Sequence, residues 1–162
     1  MLLYLVRHAD AVAVGEDGVT TDAERHLSPK GLRQAAKVAL FLRDHAEAPD
    51  AIVSSPLLRS VQTAEQIAGV VAPGAKVTAM RELAPGTAPA AVFDAICRRK
   101  RQSIIAVGHM PDLALLSGVL LTGTACEFLD FGKAATAAFD LSTPTEPAAA
   151  KLLWFVRPRL VG

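Results

Sequence analysis

The stretch that decides the fold is the first eleven residues, Met1-Leu2-Leu3-Tyr4-Leu5-Val6-Arg7-His8-Ala9-Asp10-Ala11. It opens on an apolar run without polar alternation, which is how a parallel strand covered on both faces reads. The run stops at two adjacent basic side chains, Arg7 and His8. Strands have to end, and a charged pair at the surface can be no more than the place where one does. Whether this pair carries chemistry depends on what the other strands deliver to the same edge.

Working outward, residues 14–27 (VGEDGVTTDAERHL) are polar, contain glycine and keep neither a helical nor a strand period, so a surface loop is expected. Ser28 then offers a hydroxyl cap and Pro29 a first helical position where a missing N–H does no harm. Leu32, Ala35, Ala36, Ala39 and Leu42 recur at helical spacing and predict one apolar face. DAIVSS (50–55) reads as a second buried strand, and Ser55-Pro56 repeats the cap-plus-proline start for a helix to about Ala68.

Further on, KVTAM (76–80) reads as a strand, APAAVFDAICRR (88–99) as a helix, SIIAVGH (103–109) as a strand and DLALLSGVLL (112–121) as a helix. AATAAFDL (134–141) and AKLLWFVRP (150–158) read as two strands joined by the low-complexity stretch STPTEPAAA (142–150), an antiparallel pair at one edge. The alternation predicts an α/β class: a three-layer α/β/α sandwich with a mostly parallel central sheet and an antiparallel edge, in one domain spanning 1–162.

Composition narrows the function. With 51% hydrophobic and 20% charged residues the chain is globular in type, and 17 Lys and Arg against 16 Asp and Glu leave a formal charge of +1. No global pull toward nucleic acid or a membrane surface follows from that balance. The opening run is too short for a transmembrane span and lacks the charged leader of a secretory signal, so it is read as folded structure. Cys97 and Cys126 belong to no metal-ligand cluster, and a reduced, cytoplasmic protein is expected.

In open α/β sheets ligands collect outside the carboxyl ends of the strands. Those ends deliver Arg7 and His8, then Ser54, Ser55 and Arg59, then Arg81 and Glu82, then Gly108 and His109. The planar fork of arginine matches phosphoryl oxygens and keeps its charge, and a helix start near Ser55 adds N–H donors to the same anion site. A neutral imidazole beside such a pocket can attack phosphorus in line, and neighbouring arginines would lower its pKa and keep it neutral; His8 is the natural nucleophile. Arg25 and His26 form a second Arg-His pair, but it precedes a capping serine instead of following a strand. His26 is read as a polar loop residue, while Arg25 remains a candidate that reaches phosphate from the loop. His45 and the basic run Arg98 to Arg101 fall at helix C-termini, where cations suit the dipole.

LVRHADA (5–11), SSPLLRSVQTA (54–64), RELAPG (81–86) and VGHMPDL (107–113), in that order, resemble the histidine phosphatase superfamily, formerly the phosphoglycerate mutase-like proteins. The likeness is greatest to its short SixA-type phosphohistidine phosphatases. It implies that His8 is the phosphorylated nucleophile, that Arg7, Arg59 and His109 hold the phosphoryl group, and that Glu82 stands where many relatives place a proton-donating acid. Ala9 replaces the glycine usual after the Arg-His pair, a change also found among SixA-like members. Ala11, Val12, Ala13 and Val14 occupy the stretch where longer relatives carry a further polar phosphate ligand, which argues against mutase activity.

The expectation is therefore a metal-independent, cofactor-free phosphatase whose partner is a phosphorylated protein bearing phosphohistidine or a small phosphorylated substrate, with catalysis by Arg7, His8, Arg59, Glu82 and His109 and substrate contacts from Arg7, Arg25, Ser55, Arg59 and His109. A phosphatase for a small sugar or nucleotide ester would keep the same pocket. A non-catalytic phosphoprotein-binding module on this fold usually loses the nucleophile, whereas His8 is present.

Overall fold

Strand β1 (Leu2–Arg7) explains why the opening run has no alternation, because both of its faces are buried. Leu3 and Leu5 enter one apolar core with Val92, Phe93 and Ile96, and with Leu113, Leu116 and Leu120. Tyr4 and Val6 enter a second core with Ala35, Val38, Ala39 and Leu42, and with Ala64 and Ile67. Burying each large apolar side chain contributes roughly 1.5–3 kcal/mol, so a polar residue anywhere in this run would be costly.

The computed structural model describes residues 1–141 and 148–160. Strands β1, β2 (Ala51–Ser54), β3 (Val77–Ala79), β4 (Ser103–Gly108), β5 (Thr136–Leu141) and β6 (Ala150–Val156) form one sheet in the order β3-β2-β4-β1-β5-β6. The β1–β4, β4–β2 and β2–β3 pairs are parallel, while β5 runs antiparallel to both β1 and β6. Helices α1 (Pro29–His45) and α2 (Leu58–Val71) pack together over one face, and α3 (Pro89–Cys97) and α4 (Asp112–Thr122) over the other. This is the expected three-layer sandwich with an antiparallel edge. Most of STPTEPAAA, residues 142–147, lies outside the described residues. No helix among the described residues is long and apolar enough to cross a membrane.

Ser28 caps α1 as expected, accepting the Gly31 N–H at 3.0 Å, and Pro29 takes the first helical position. The apolar face of α1 differs from the expected one. Gly31, Ala35, Val38, Ala39 and Leu42 are buried, whereas Ala36 is exposed and Leu32 is 45% exposed. The cause is at Gly31, where α1 closes on the chain after His8: a Cβ there would collide with the carbonyl oxygen of Asp10. That contact turns the Gly31 side inward and Leu32 outward. The start of α2 also differs, since the helix begins at Leu58 and Ser55 does not cap it. The Ser55 N–H extends the β2–β4 pairing by bonding the Val107 carbonyl at 2.9 Å, and its hydroxyl is turned to His109.

Residues 14–27 form the expected loop, but it is ordered at both ends. Its base is closed by an Ala11–Leu27 bridge and by the Val12 N–H on the His26 carbonyl. At its tip a 3-10 turn, Asp22–Glu24, is held by the Glu24 carboxylate, which accepts hydrogen bonds from Thr20 N, Thr20 Oγ1 and Thr21 N.

Because only glycine fits at position 31, Gly31→Ala is expected to cost about 1–3 kcal/mol of stability, the usual penalty for overpacking. Urea denaturation measures this, and chemical-shift changes at His8 and Asp10 would report that the displaced element is the segment after β1.

Candidate active site

The sheet order sets the ends of β1, β4 and β2 side by side, so His8, His109 and Ser55 arrive together without long side chains having to span the sheet. His8 is fixed through its backbone on both flanks. Its N–H bonds the Gly108 carbonyl at 3.0 Å, and its carbonyl accepts the Ala134 N–H at 3.3 Å. One residue on, the Ala9 N–H bonds Thr63 Oγ1, whose hydroxyl donates to the Arg59 carbonyl one turn earlier in α2. The chain just after His8 is thereby anchored to the helix that carries Arg59.

The hydrogen bonds also fix the His8 tautomer. Arg59 Nε, which always carries its proton, donates to His8 Nε2 at 3.3 Å, so Nε2 presents a lone pair. Nδ1 then holds the ring proton and donates it to the Ala9 carbonyl at 2.8 Å. Burial pushes the His8 pKa from 6.5 down to about 2, with the Lys133 charge adding to it and the charges of His109 and Arg59 contributing less. The neutral state is thus held first by desolvation, and the arginine expected to dominate comes behind Lys133.

His109 lies against His8 with ring centroids 5.0 Å apart. Its Nε2 is 2.7 Å from Ser55 Oγ and 3.4 Å from Ser60 Oγ. Burial, followed by the Arg59 charge, lowers its pKa to about 4. Arg7 extends from the end of β1, with Nη1 donating to the Phe131 carbonyl and Nε buried without a hydrogen-bond partner among the described residues. An orphaned buried donor costs on the order of 1–3 kcal/mol.

Arg59 sits in the first turn of α2 and is 5% exposed. Its Nη1 and Nη2 donate to the carbonyl and the carboxylate of Asp22, at 2.7 and 3.0 Å. Arg25 grips the other Asp22 oxygen at 3.1 Å and bonds the Val12 carbonyl through Nε. Burial alone would raise the Asp22 carboxyl, yet the hydrogen bonds from Arg59 and Arg25 outweigh it and hold the pKa below the usual range. An acidic side chain from the loop therefore rests on two of the arginines expected to bind phosphate. Glu82 lies in a 3-10 turn after β3, half-buried, with no hydrogen bond or ion pair to another described residue.

Four residues outside the sequence-based set belong to this neighbourhood: Asp22, Ser60, Thr63 and Lys133. Ser60 and Thr63 had a readable signal, since Arg59, Ser60 and Thr63 form a polar stripe on the buried face of α2. Asp22 and Lys133 had none, because each reaches the site from a loop whose path local pattern does not encode. Lys133 lies in a turn closed by the Ala135 N–H on the Gly132 carbonyl, with Ala134 held at a left-handed φ of 57°. Burial and the charges of Arg7 and Arg25 lower its pKa from 10.5 to about 8. In the second Arg-His pair, His26 faces Asp17 at 3.2 Å in the loop, while Arg25 bonds Asp22.

A buried, neutral histidine at the end of a central strand, hydrogen-bonded by Arg59 and with Lys133 acting on it, suits an α/β protein that handles anions such as phosphoryl groups. The sequence comparison agrees with that class: residues 3–110 match the family model of the histidine phosphatase superfamily (branch 1), and the chain belongs to that family. It is also 30% identical to the uncharacterized protein Rv1276c of Mycobacterium tuberculosis (strain ATCC 25618 / H37Rv), over 95% of this chain and all of that one. Among solved structures it is similar to the protein histidine phosphatase SixA complexed with tungstate, with a TM-score of 0.84, 22% identity and 98% of each chain covered. It is likewise similar to mycobacterial glucosyl-3-phosphoglycerate phosphatase, with a TM-score of 0.72, 17% identity and coverage of 94% of this chain and 96% of that one.

The depressed histidine pKa values have a consequence for stability. Between the unfolded value of 6.5 and the folded value of about 2, the unfolded chain binds a proton at His8 that the native state does not, so stability falls as pH falls through this window. Going from pH 7 to pH 5 is expected to remove about 2 kcal/mol at His8, and a similar amount at His109. Urea denaturation at both pH values should show a smaller loss in His8→Asn than in the wild type, by about 2 kcal/mol.

Proposed function

We propose that the protein is a phosphatase that removes the phosphoryl group from phosphohistidine on a protein, through a phosphorylated His8, without a metal or cofactor. The observation that carries this reading is the His8 ring itself: buried, neutral, its Nε2 lone pair turned into a cationic pocket. A neutral nitrogen nucleophile has no proton to lose before it attacks. The groups around it are cationic, which suits an oxyanion and not a divalent metal.

In the first step Arg59 Nε gives up its hydrogen bond to His8 Nε2, whose lone pair forms a bond to phosphorus while the bond from phosphorus to the leaving nitrogen breaks, and the departing imidazole takes up a proton from water. Arg7, with its unpartnered Nε, and Arg59 spread the charge on the equatorial oxygens, as does His109, held in place by Ser55. The entering phosphoryl group competes with Asp22 for Arg59, and Arg25, already bonded to Asp22, keeps that carboxylate close as it yields. In the second step water attacks phosphorus, inorganic phosphate leaves, and the Nε2 lone pair is restored. Glu82 is the candidate proton donor for leaving groups poorer than imidazole.

The likeness to SixA, a protein histidine phosphatase, supports the phosphohistidine reading. The likeness to glucosyl-3-phosphoglycerate phosphatase supports a second reading, a small phosphate ester in the same pocket.

Turnover with a labelled phosphohistidine substrate, quenched in alkaline detergent, is expected to leave a base-stable, acid-labile phosphoryl group on the wild-type chain and none on His8→Ala. Label retained by the variant would reject His8 as nucleophile. For Glu82, hydrolysis of an alkyl phosphate should drop ~10²–10⁴-fold in Glu82→Gln, the range for general acid catalysis, while phosphoimidazole hydrolysis is largely spared. Measuring kcat/KM on both substrates in both enzymes decides the point, since an equal loss on the two would remove Glu82 from the role of leaving-group acid.

A further inference from the structure

Beside the phosphoryl pocket lies a recess of about 210 Å³, lined by Gln34, Gly132, Lys133, Arg157, Pro158 and Arg159. Three cations line it and no carboxylate does. Two of its residues join it to the surroundings of His8. Gln34 Oε1 accepts the N–H of Asp10, two positions beyond the nucleophile, at 2.9 Å. Lys133, at the tip of its turn, lines the recess and acts electrostatically on both His8 and His109.

The recess is not neutralised from within. Arg157 Nη2 donates to the Asp130 carbonyl at 3.1 Å and to its carboxylate at 3.0 Å, a surface pair with 34% and 78% of the two side chains exposed. Such a pair contributes little in water. Neither Lys133 nor Arg159 makes a hydrogen bond or ion pair with another described residue. Pockets that enclose a drug-sized molecule run to roughly 300–1,000 Å³, so this recess is sized for a side chain and its waters.

We propose that the recess binds a carboxylate side chain flanking the phosphorylated residue of a protein substrate, with Lys133 and Arg159 as its anchors. This rests on the phosphohistidine reading above and deepens it to a substrate class, phosphohistidine next to an acidic residue. A phosphoryl dianion and a nearby carboxylate repel one another on the free substrate. Two adjoining cationic sites offset that repulsion only when both anions are seated, and this makes the pair a specificity device. Lys133, shared between the two sites, couples them.

The test uses the full chain and two peptides carrying a non-hydrolysable phosphohistidine analogue, a phosphonate on a triazole ring, flanked by Glu in one and Gln in the other. Calorimetric binding to the wild type is expected to favour the Glu peptide by about 10-fold at low salt, with the preference shrinking as salt rises. The preference should fall to about 2-fold or less in Lys133→Met and in Arg159→Gln, and persist in Lys133→Arg, which keeps the charge. Equal binding of the two peptides by the wild type would overturn the proposal, as would a preference that survives in both charge-removing variants or an absence of binding to either peptide. Because binding is read without turnover, a wild type that prefers the Glu peptide but fails to hydrolyse phosphoimidazole would sink the phosphatase reading and leave the recess standing.

Discussion

The hydrogen bond from Arg59 Nε to His8 Nε2 is the contact on which the rest of the site depends. Arginine cannot act as the acceptor, so the bond dictates that Nε2 is unprotonated and that Nδ1 carries the hydrogen bonded to Ala9. Orientation and tautomer of the His8 ring follow from this pairing, while burial first holds the ring neutral. Its partners are themselves fixed: Arg59 by Asp22 at one end and by the α2 backbone at the other, His8 by β4 on one flank and the segment before β5 on the other.

Such a pairing requires a rigid frame, and the frame is ordinary hydrophobic packing. β1 is buried on both faces, so its register with β4 and β5 cannot slip by one residue without exchanging the side chains of the two cores. The Arg7-His8 step falls where the apolar run ends because a strand can carry polar chemistry only past its last buried position. Thr63 and Gly31 transmit that rigidity to the following residues, one by bonding the Ala9 N–H and the other by admitting the Asp10 carbonyl against α1.

Much of this was legible in the sequence. The strand order was not, but strands delivering Arg7, His8, Ser55 and His109 to one edge could be read from apolar runs that end in polar residues, and the structure brings those ends together. Periodicity places Leu32 on the apolar face of α1 because it cannot tell which side of Leu32 is closed by a backbone contact at Gly31. Ser-Pro at 55–56 predicts a helix cap, whereas the Ser55 hydroxyl is bonded to His109 Nε2. Asp22 and Lys133 were invisible for a different reason. Their positions depend on the path of loops closed by long-range contacts, such as the Gln62 side chain on Leu27 N, and no local pattern reports these.

Cations gathered this closely repel, and the pocket contains its own answer. Arg7, Arg25, Arg59 and Lys133 act on one another or on the two histidines, and each cation lowers the Lys133 pKa further. Asp22 offsets part of this by bonding Arg59 and Arg25, and Asp10 offsets part at Lys133. The folded chain thus offsets part of the repulsion among its clustered cations with a carboxylate of its own. Asp22 is tied to a loop while Arg59 is built into a helix and buried, so of the two partners the cation is the one whose position the packed core sets.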